Sequence, residues 1–394
     1  MIGKEEIRRI KEGLALEEGT VLSLYLDLNP AKPENANRAY ALRAKDAMKA
    51  LKVPQDLQER ILEVLKNQVL EAKTAVFFAS EKVFETLLLQ VELPLVSSLK
   101  TTFLGEKESR FFTDGALAHY GEPFLLPLIY ALDEYERYGV VYLDQERWRV
   151  FEIFLGEVQE VSDAFLALDT EAWRRLSLDA PGRRFNLAGI SRGGAGQDLF
   201  AKRLAAWEER FYKTLSHELE KLTEERGFTR LILMGPEEHT QLFLGYLPKR
   251  LKEKVVALLP SLPHPGVSPG QVLKRLEPVL EEMERKGEVE LLKKLEEAYP
   301  KVAFGLEVLE RVQEGRVELW VLPWHLDQTV YACDGIFFPE EARALAHCQN
   351  PEAKPLAVVL SELATGYAAK LEFVRGEAEK QLLERGGMAA LLRW

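Results

Sequence analysis

Ser191-Arg192-Gly193-Gly194-Ala195-Gly196-Gln197 sets three glycines and an alanine between an arginine and a glutamine, and a long charged amphipathic segment follows at once, from Asp198 to about Arg226. A Gly-rich stretch lets backbone approach a partner closely, because no Cβ stands in the way. Basic side chains beside it point to a phosphate-rich partner. The same stretch could serve as a plain surface connector, so its surroundings decide between the two.

Downstream, Phe200, Leu204, Trp207, Phe211, Leu215, Leu219 and Leu222 step by three or four and make one apolar stripe, with Gly227 as the expected C-cap. Upstream, Tyr138–Asp144, Trp148–Leu155 and Val158–Val161 read as a three-strand meander. Between them, 181–197 is long, poor in apolar residues and basic, with Arg183, Arg184 and Arg192. Long loops of this kind are uncommon unless they are functional or disordered. Leu231–Pro236 and Val255–Leu259 read as further strands, and Pro260–Gly266 as a Pro-rich linker.

Before the meander, the apolar runs Val21–Leu28 and Thr74–Ala79 read as buried strands, with helices over 38–52 and 57–72. Glu85–Val91 and Phe111–His119 are shorter strand-like pieces, and Pro123 and Pro127 mark the end of this unit. After the linker, helical patterns cover 270–286, 289–298, 306–314 and 356–364, with strands at Val317–Leu322 and Leu371–Val374 and an apolar tail at Gly386–Trp394. The expected class is α/β in three domains, 1–135, 136–262 and 263–394, each a mixed sheet with packed helices.

The chain has 394 residues, which asks for more than one core. It is 47% hydrophobic and 29% charged, as soluble globular proteins are. No apolar run approaches a membrane span, and the charged Met1–Glu18 does not read as a signal peptide. The net charge of -11 argues against bulk coating of nucleic acid but leaves room for a local basic patch. No DNA partner is expected. Few Met and Cys beside many Glu, Arg and Leu lean toward a thermophile.

Two cysteines, Cys333 and Cys348, make no disulfide framework, so buried free thiols and a reducing cytoplasm are expected. With His325 and His347 they could supply four zinc ligands, but their spacing matches no usual pattern, and no metal site is assigned. There is no Walker A lysine motif, no strand-linked Gly-x-Gly-x-x-Gly and no Gly-x-Ser-x-Gly elbow, so no cofactor is expected. None of the six histidines lies beside a nucleophile. Catalysis, if the chain performs any, leans on backbone groups and positioning.

The order of pieces resembles the archaeo-eukaryotic class I release factors. A meander, a Gly-rich loop ending in Gly196-Gln197 and a helix carrying Phe200-Ala201-Lys202-Arg203 are similar to their middle domain, which is RNase H-like and holds Gly-Gly-Gln at this place. Phe304–Glu310, Gly315–Glu318 and the terminal Gly386–Trp394 look like the third domain of release factors and Pelota. The resemblance covers essentially the whole chain and points to the bacterial branch of the superfamily. Residues 195–197 read Ala-Gly-Gln, leaving the looser Gly-x-x-Gln of Gly194–Gln197, similar to the Vms-type release factors. No Asn-Ile-Lys-Ser stop-codon motif occurs in the first domain, so stop-codon decoding is not implied.

The resemblance implies a cytoplasmic, RNA-binding translation factor. Its partners would be ribosomal RNA and peptidyl-tRNA, with a translational GTPase as a possible further one. Residues 192–197 would stand at the peptidyl transferase centre. Gly194 and Gly196 would let backbone enter that site, and the Gln197 N–H would donate to developing negative charge during ester hydrolysis. Arg183, Arg184, Arg192, Lys202 and Arg203 would contact RNA phosphates. The alternative is a non-catalytic occupant of the ribosomal A site, as in the hibernation factors of the same superfamily.

Overall fold

The computed structural model describes residues 12, 20–67, 70–93, 110–113, 115–143, 148–161, 194–262 and 267–394, with the backbone alone for 110–112, 143 and 194–208. The chain forms two compact units, one of residues 1–135 with 279–394 and one of 136–278. Both are α/β. The division at 135 and 262 into three domains remains a proposal about folding units.

In the first unit β1 (Val21–Asp27) lies at the centre of a five-stranded sheet, flanked by β2 (Thr74–Ala79) and β3 (Phe84–Leu89) on one side. β5 (Ala116–Gly121) and β4 (Arg110–Thr113) flank it on the other, and every pairing is antiparallel. All seven residues of β1 are buried, so both faces of the strand are covered, which is why it reads as an unbroken apolar run. Helices α1 (Ala39–Ala50) and α2 (Gln55–Asn67) cover one face, setting Ala44, Met48, Leu57, Ile61 and Leu65 against Leu22, Leu24, Leu26 and Phe77. The expected single strand over 111–119 is instead the β4–β5 hairpin. Gly115, at φ +81°, takes the left-handed turn position that glycine tolerates.

Pro123 and Pro127 stand at the start of the last element before the chain passes from one unit to the other at residue 135. They lead into α3 (Leu126–Glu134), with Pro127 in its first turn, where a missing N–H costs nothing. This helix docks onto the C-terminal part of the same unit. The Tyr130 ring stacks on Phe373 at 3.8 Å between centroids, and its hydroxyl donates to the Trp324 carbonyl at 2.9 Å. The Phe373 N–H donates to Asp133 Oδ2 at 2.7 Å. Glu134 accepts from Arg285 at 2.5 Å and from Arg375 at 2.9 Å.

The second unit carries a mixed sheet in the order β10-β9-β6-β7-β8. The expected meander is β6 (Tyr138–Leu143), β7 (Trp148–Phe154) and β8 (Glu157–Glu160), all antiparallel, while β9 (Arg230–Met234) and β10 (Val255–Leu259) join it in parallel. Helix α4 (Gly194–Arg226) precedes β9, and α5 (Glu237–Tyr246) and α6 (Lys249–Lys252) lie between β9 and β10. The next helix, α7 (Pro269–Glu297), replaces two expected helices. It carries Pro278 inside, and the boundary between the units falls at that residue.

The C-terminal sheet runs β11-β17-β12-β16, with β12 (Val317–Pro323) and β16 (Lys370–Val374) parallel. The apolar tail is β17 (Ala389–Leu392), inserted between β12 and β11 (Val302–Phe304). Helices α8 (Glu307–Gln313), α9 (Glu341–Leu345), α10 (Leu356–Tyr367) and α11 (Gly376–Glu384) complete this part. A small sheet holds β14 (Ile336–Phe338), β13 (Thr329–Cys333) and β15 (Glu352–Pro355). Here the cysteine expectation fails. Cys333 and Cys348 are joined in a disulfide with Cα atoms 6.1 Å apart, so neither is a free thiol. The small sheet sets the two side by side although 15 positions separate them, which sequence spacing does not reveal. His325 Nδ1 lies 2.8 Å from Glu379 Oε1, so these four residues do not act together as metal ligands.

Two stability predictions arise here. Gly386 has φ +96°, and a Cβ on it would lie 2.7 Å from the Gly305 Cα. Gly386→Ala is expected to destabilise by about 2 kcal/mol or more, read from denaturant midpoints, because strain and a backbone clash add. Burial raises the Glu288 carboxyl to about 7, against the opposing charge of Arg285. The unfolded chain releases that proton near the model-peptide value of 4.5 while the folded chain keeps it to about 7. The folded state therefore holds the extra proton, and this group's contribution to stability falls as pH rises through that window. Glu288→Gln is expected to shrink the difference between urea midpoints at about pH 5 and about pH 8, and an unchanged difference would refute the assignment.

Candidate functional site

The candidate site heads α4, so what holds that helix comes first. Phe211, Tyr212, Leu215, Leu219 and Leu222 are buried and face Val141, Trp148, Val150, Leu231 and Leu233 of the sheet. Trp148 is the hub, its ring 5.9 Å from Phe211, 5.8 Å from Tyr212 and 5.0 Å from Phe243, each edge to face. Edge-to-face packing of this kind adds about 0.5–1.5 kcal/mol per pair beyond area burial. Tyr212 also stacks on Tyr246, and its hydroxyl lies 3.0 Å from His239 Nδ1. Burial holds the His239 pKa below its usual value, which keeps the ring neutral and able to share that hydrogen bond.

The far end of α4 closes as its sequence predicts. Gly227 has φ +69°, and the Phe228 N–H returns to the Thr223 carbonyl at 3.1 Å. Along the outer face, Glu209 pairs with Lys213 at 2.7 Å and Glu218 with Lys221 at 3.4 Å, exposed pairs that contribute little.

The near end differs from expectation. The helix begins at Gly194, not Asp198, so Gly194, Gly196 and Gln197 occupy its first turn instead of a loop. Each glycine costs about 1 kcal/mol relative to alanine in a helix, but Ala195 is the best helix former and no proline intervenes. Adding a turn to an existing helix needs no new nucleus. Lys202 and Arg203 lie on the same helix, one to two turns further along. The structure thus brings five of the eight expected residues onto one element. Arg183, Arg184 and Arg192 lie outside the described residues.

Gln197 stands fourteen residues ahead of Phe211, about 21 Å along a helix rising ~1.5 Å per residue. The motif is therefore carried at a distance from the aromatic cluster that anchors its helix. At the tip, the N–H groups of Gly194, Ala195 and Gly196 have no partner within the helix, and they form the positive end of its dipole. Such an end favours negative charge, whether a phosphate or a developing oxyanion. Among the described residues, no group of three or more His, Cys, Asp or Glu side chains is placed to hold a metal ion, and no helix is long and apolar enough to cross a membrane.

The sequence did not reveal Trp148 as the hub of the anchor, since it read only as one residue of a strand. The signal available was its place at the start of β7, opposite an apolar helix stripe rich in aromatics.

Comparison with known proteins finds a family model, a curated relative and solved structures that resemble parts of this chain. Residues 123–281 match the family model of bacterial archaeo-eukaryotic release factor family 10. The peptide chain release factor subunit 1 of Methanopyrus kandleri is 28% identical over 210 residues, which are 52% of this chain and 47% of that protein. The match thus spans about half the length of this curated relative. Two solved structures are similar at low identity. Saccharomyces cerevisiae Dom34, described as a translation termination-like factor interacting with Hbs1, is 12% identical over 72% of each chain with a TM-score of 0.38. An archaeal Pelota, from a model of the ribosome-bound protein with ABCE1, is 14% identical over 99% of this chain and 94% of that one, with a TM-score of 0.38. The family match begins ahead of β6 and runs into α7, so the Gly-x-x-Gln stretch and its anchored helix lie inside the part of the chain that is similar to bacterial archaeo-eukaryotic release factor family 10.

Proposed function

We propose that this translation factor binds the ribosome, sets residues 192–197 at the peptidyl transferase centre, and promotes hydrolysis of peptidyl-tRNA during ribosome rescue. The observation that carries this reading is the match of residues 123–281 to a release-factor family, with Gly194–Gln197 inside it at the head of a long anchored helix. Ribosomal RNA and peptidyl-tRNA are the proposed partners, a translational GTPase is a candidate delivery factor, and the cytoplasm is the proposed place of action.

Ester hydrolysis requires a water beside the ester carbonyl and donors where negative charge develops. In the helical conformation the donors available at the tip are the N–H groups of Gly194, Ala195 and Gly196. The Gln197 N–H is the first that can be drawn into the helical ladder. It becomes a free donor when the first turn unwinds, and the two glycines keep that unwinding inexpensive. The Gln197 side chain would then shape the pocket and admit water as the nucleophile. Arg183, Arg184, Arg192, Lys202 and Arg203 would hold the tip against RNA phosphates.

A second reading, a non-catalytic A-site occupant that protects idle ribosomes, is favoured by one observation. Ala195 stands where the strict motif has glycine, and the stretch is helical.

Release of peptide from isolated large subunits carrying peptidyl-tRNA separates the two readings. Gln197→Ala is expected to abolish release, and release that survives this substitution unchanged would sink the hydrolase reading. Absence of any release, with co-migration on ribosomal particles in sucrose gradients, would favour the occupant. Absence of co-migration at low salt would sink both.

Ala195→Gly tests the unwinding step. It removes about 1 kcal/mol of helix preference and is expected to raise the release rate roughly fivefold. A lower rate would mean that the helical turn is itself the active conformation.

A further inference from the structure

The segment Thr329–Pro355, built on the small sheet β13–β14–β15, has no role in the reading above, yet it holds both cysteines of the chain. We propose that Cys333–Cys348 is a thiol–disulfide exchange site whose redox state sets the order of the module Thr329–Pro355.

The module has little else to keep it folded. Its strands run to five, three and four residues and pair only with one another. Sheets this small stand near the limit of independent stability. Its core is Cys333, Phe338 and Ala344, with Tyr331 and Cys348 against them, so the two sulfurs form much of its buried interior. Few ties lead to neighbouring helices. Gln313 donates to the Phe337 carbonyl at 2.7 Å and accepts the Phe337 N–H at 2.8 Å, and Arg343 pairs with Glu310. The large sheet beside it has a separate core of Leu292, Leu295, Leu319, Val321, Leu382 and Ala389 with neighbours. Loss of the cross-link therefore bears on the module before it bears on the rest.

The two sulfurs differ in access. Cys333 ends β13 and is 4% exposed, whereas Cys348 follows α9 on a half-buried turn. A dithiol reductant would attack Cys348 Sγ as its thiolate. The Cys333–Cys348 bond breaks, a mixed disulfide forms between the reductant and Cys348, and Cys333 leaves as a thiolate. The second thiol of the reductant then attacks its own sulfur in the mixed disulfide and releases Cys348. The dithiol is oxidised to a disulfide, and two electrons and two protons end on the cysteine pair.

Hydrogen exchange followed by mass spectrometry on the full chain, with and without dithiothreitol, tests this. Before reduction no thiol should titrate in denaturant, and afterwards two should. The β13 amides are expected to exchange about a hundredfold faster after reduction, the entropic effect of a cross-link over a loop of this length. The β12 and β16 amides should not change, and Cys333→Ser with Cys348→Ser should reproduce the reduced pattern without reductant. Unchanged β13 exchange, two titratable thiols before reduction, or equal acceleration in β12 and β16 would each overturn the proposal.

Discussion

The anchoring of a 33-residue helix by its C-terminal half is the constraint from which the rest of the second unit follows. Isolated helices are marginal in water, and most of their stability in proteins comes from a packed apolar face. In α4 that face is Phe211 to Leu222, seated on the sheet around Trp148. The anchor fixes the axis, and the axis fixes where the first turn lies, ~21 Å beyond the first anchoring residue. A strand meander suits this role, because β6 to β9 offer a broad surface with one apolar face turned to the helix. Weakening the contact between Trp148 and Phe243 would change the aim of the tip as well as the stability of the unit.

The other unit depends on a different kind of contact. α3 joins the first sheet to the C-terminal part through Tyr130, Asp133 and Glu134, with Phe373, Trp324, Arg285 and Arg375 as partners. Buried ion pairs add little net stability over apolar residues of equal size, but losing one partner is costly because a charge is stranded. Glu134, held by two arginines, therefore specifies how α3 is seated more than it strengthens the fold. Segments far apart in sequence form one compact unit for this reason.

Much of this architecture was legible in the residues. β1, β2, the meander and the stripe of α4 follow from runs and periods that only one secondary structure satisfies. Gly227 was readable as a cap because glycine alone is comfortable at φ +69°. What escaped was what depends on distant partners. α3 looked like the end of a domain because two prolines stand at its start, and only its packing on β16 makes it a helix worth forming. β17 looked like a tail because a four-residue strand has no pattern of its own. The disulfide escaped because Cys333 and Cys348 meet through the pairing of a sheet whose strands are too short to read.

The Gly-x-x-Gln stretch was legible as a motif, but its conformation was not. Its glycines were read as a loop since glycine is the poorest ordinary helix former, and the structure puts them in a helix. Both observations are compatible when magnitudes are compared. Two glycines weaken the first turn by about 2 kcal/mol, while Ala195 and the helix behind it favour continuation. On the proposed reading, a turn so balanced would give way where a partner offers better hydrogen bonds than the helical ladder. Glycine at position 195 would tip the balance toward the unwound form, and a larger side chain at 194 or 196 would hinder the close backbone approach that the proposed function requires. On that reading Ala195 would set the resting conformation, and the Gln197 N–H would be the donor that unwinding releases.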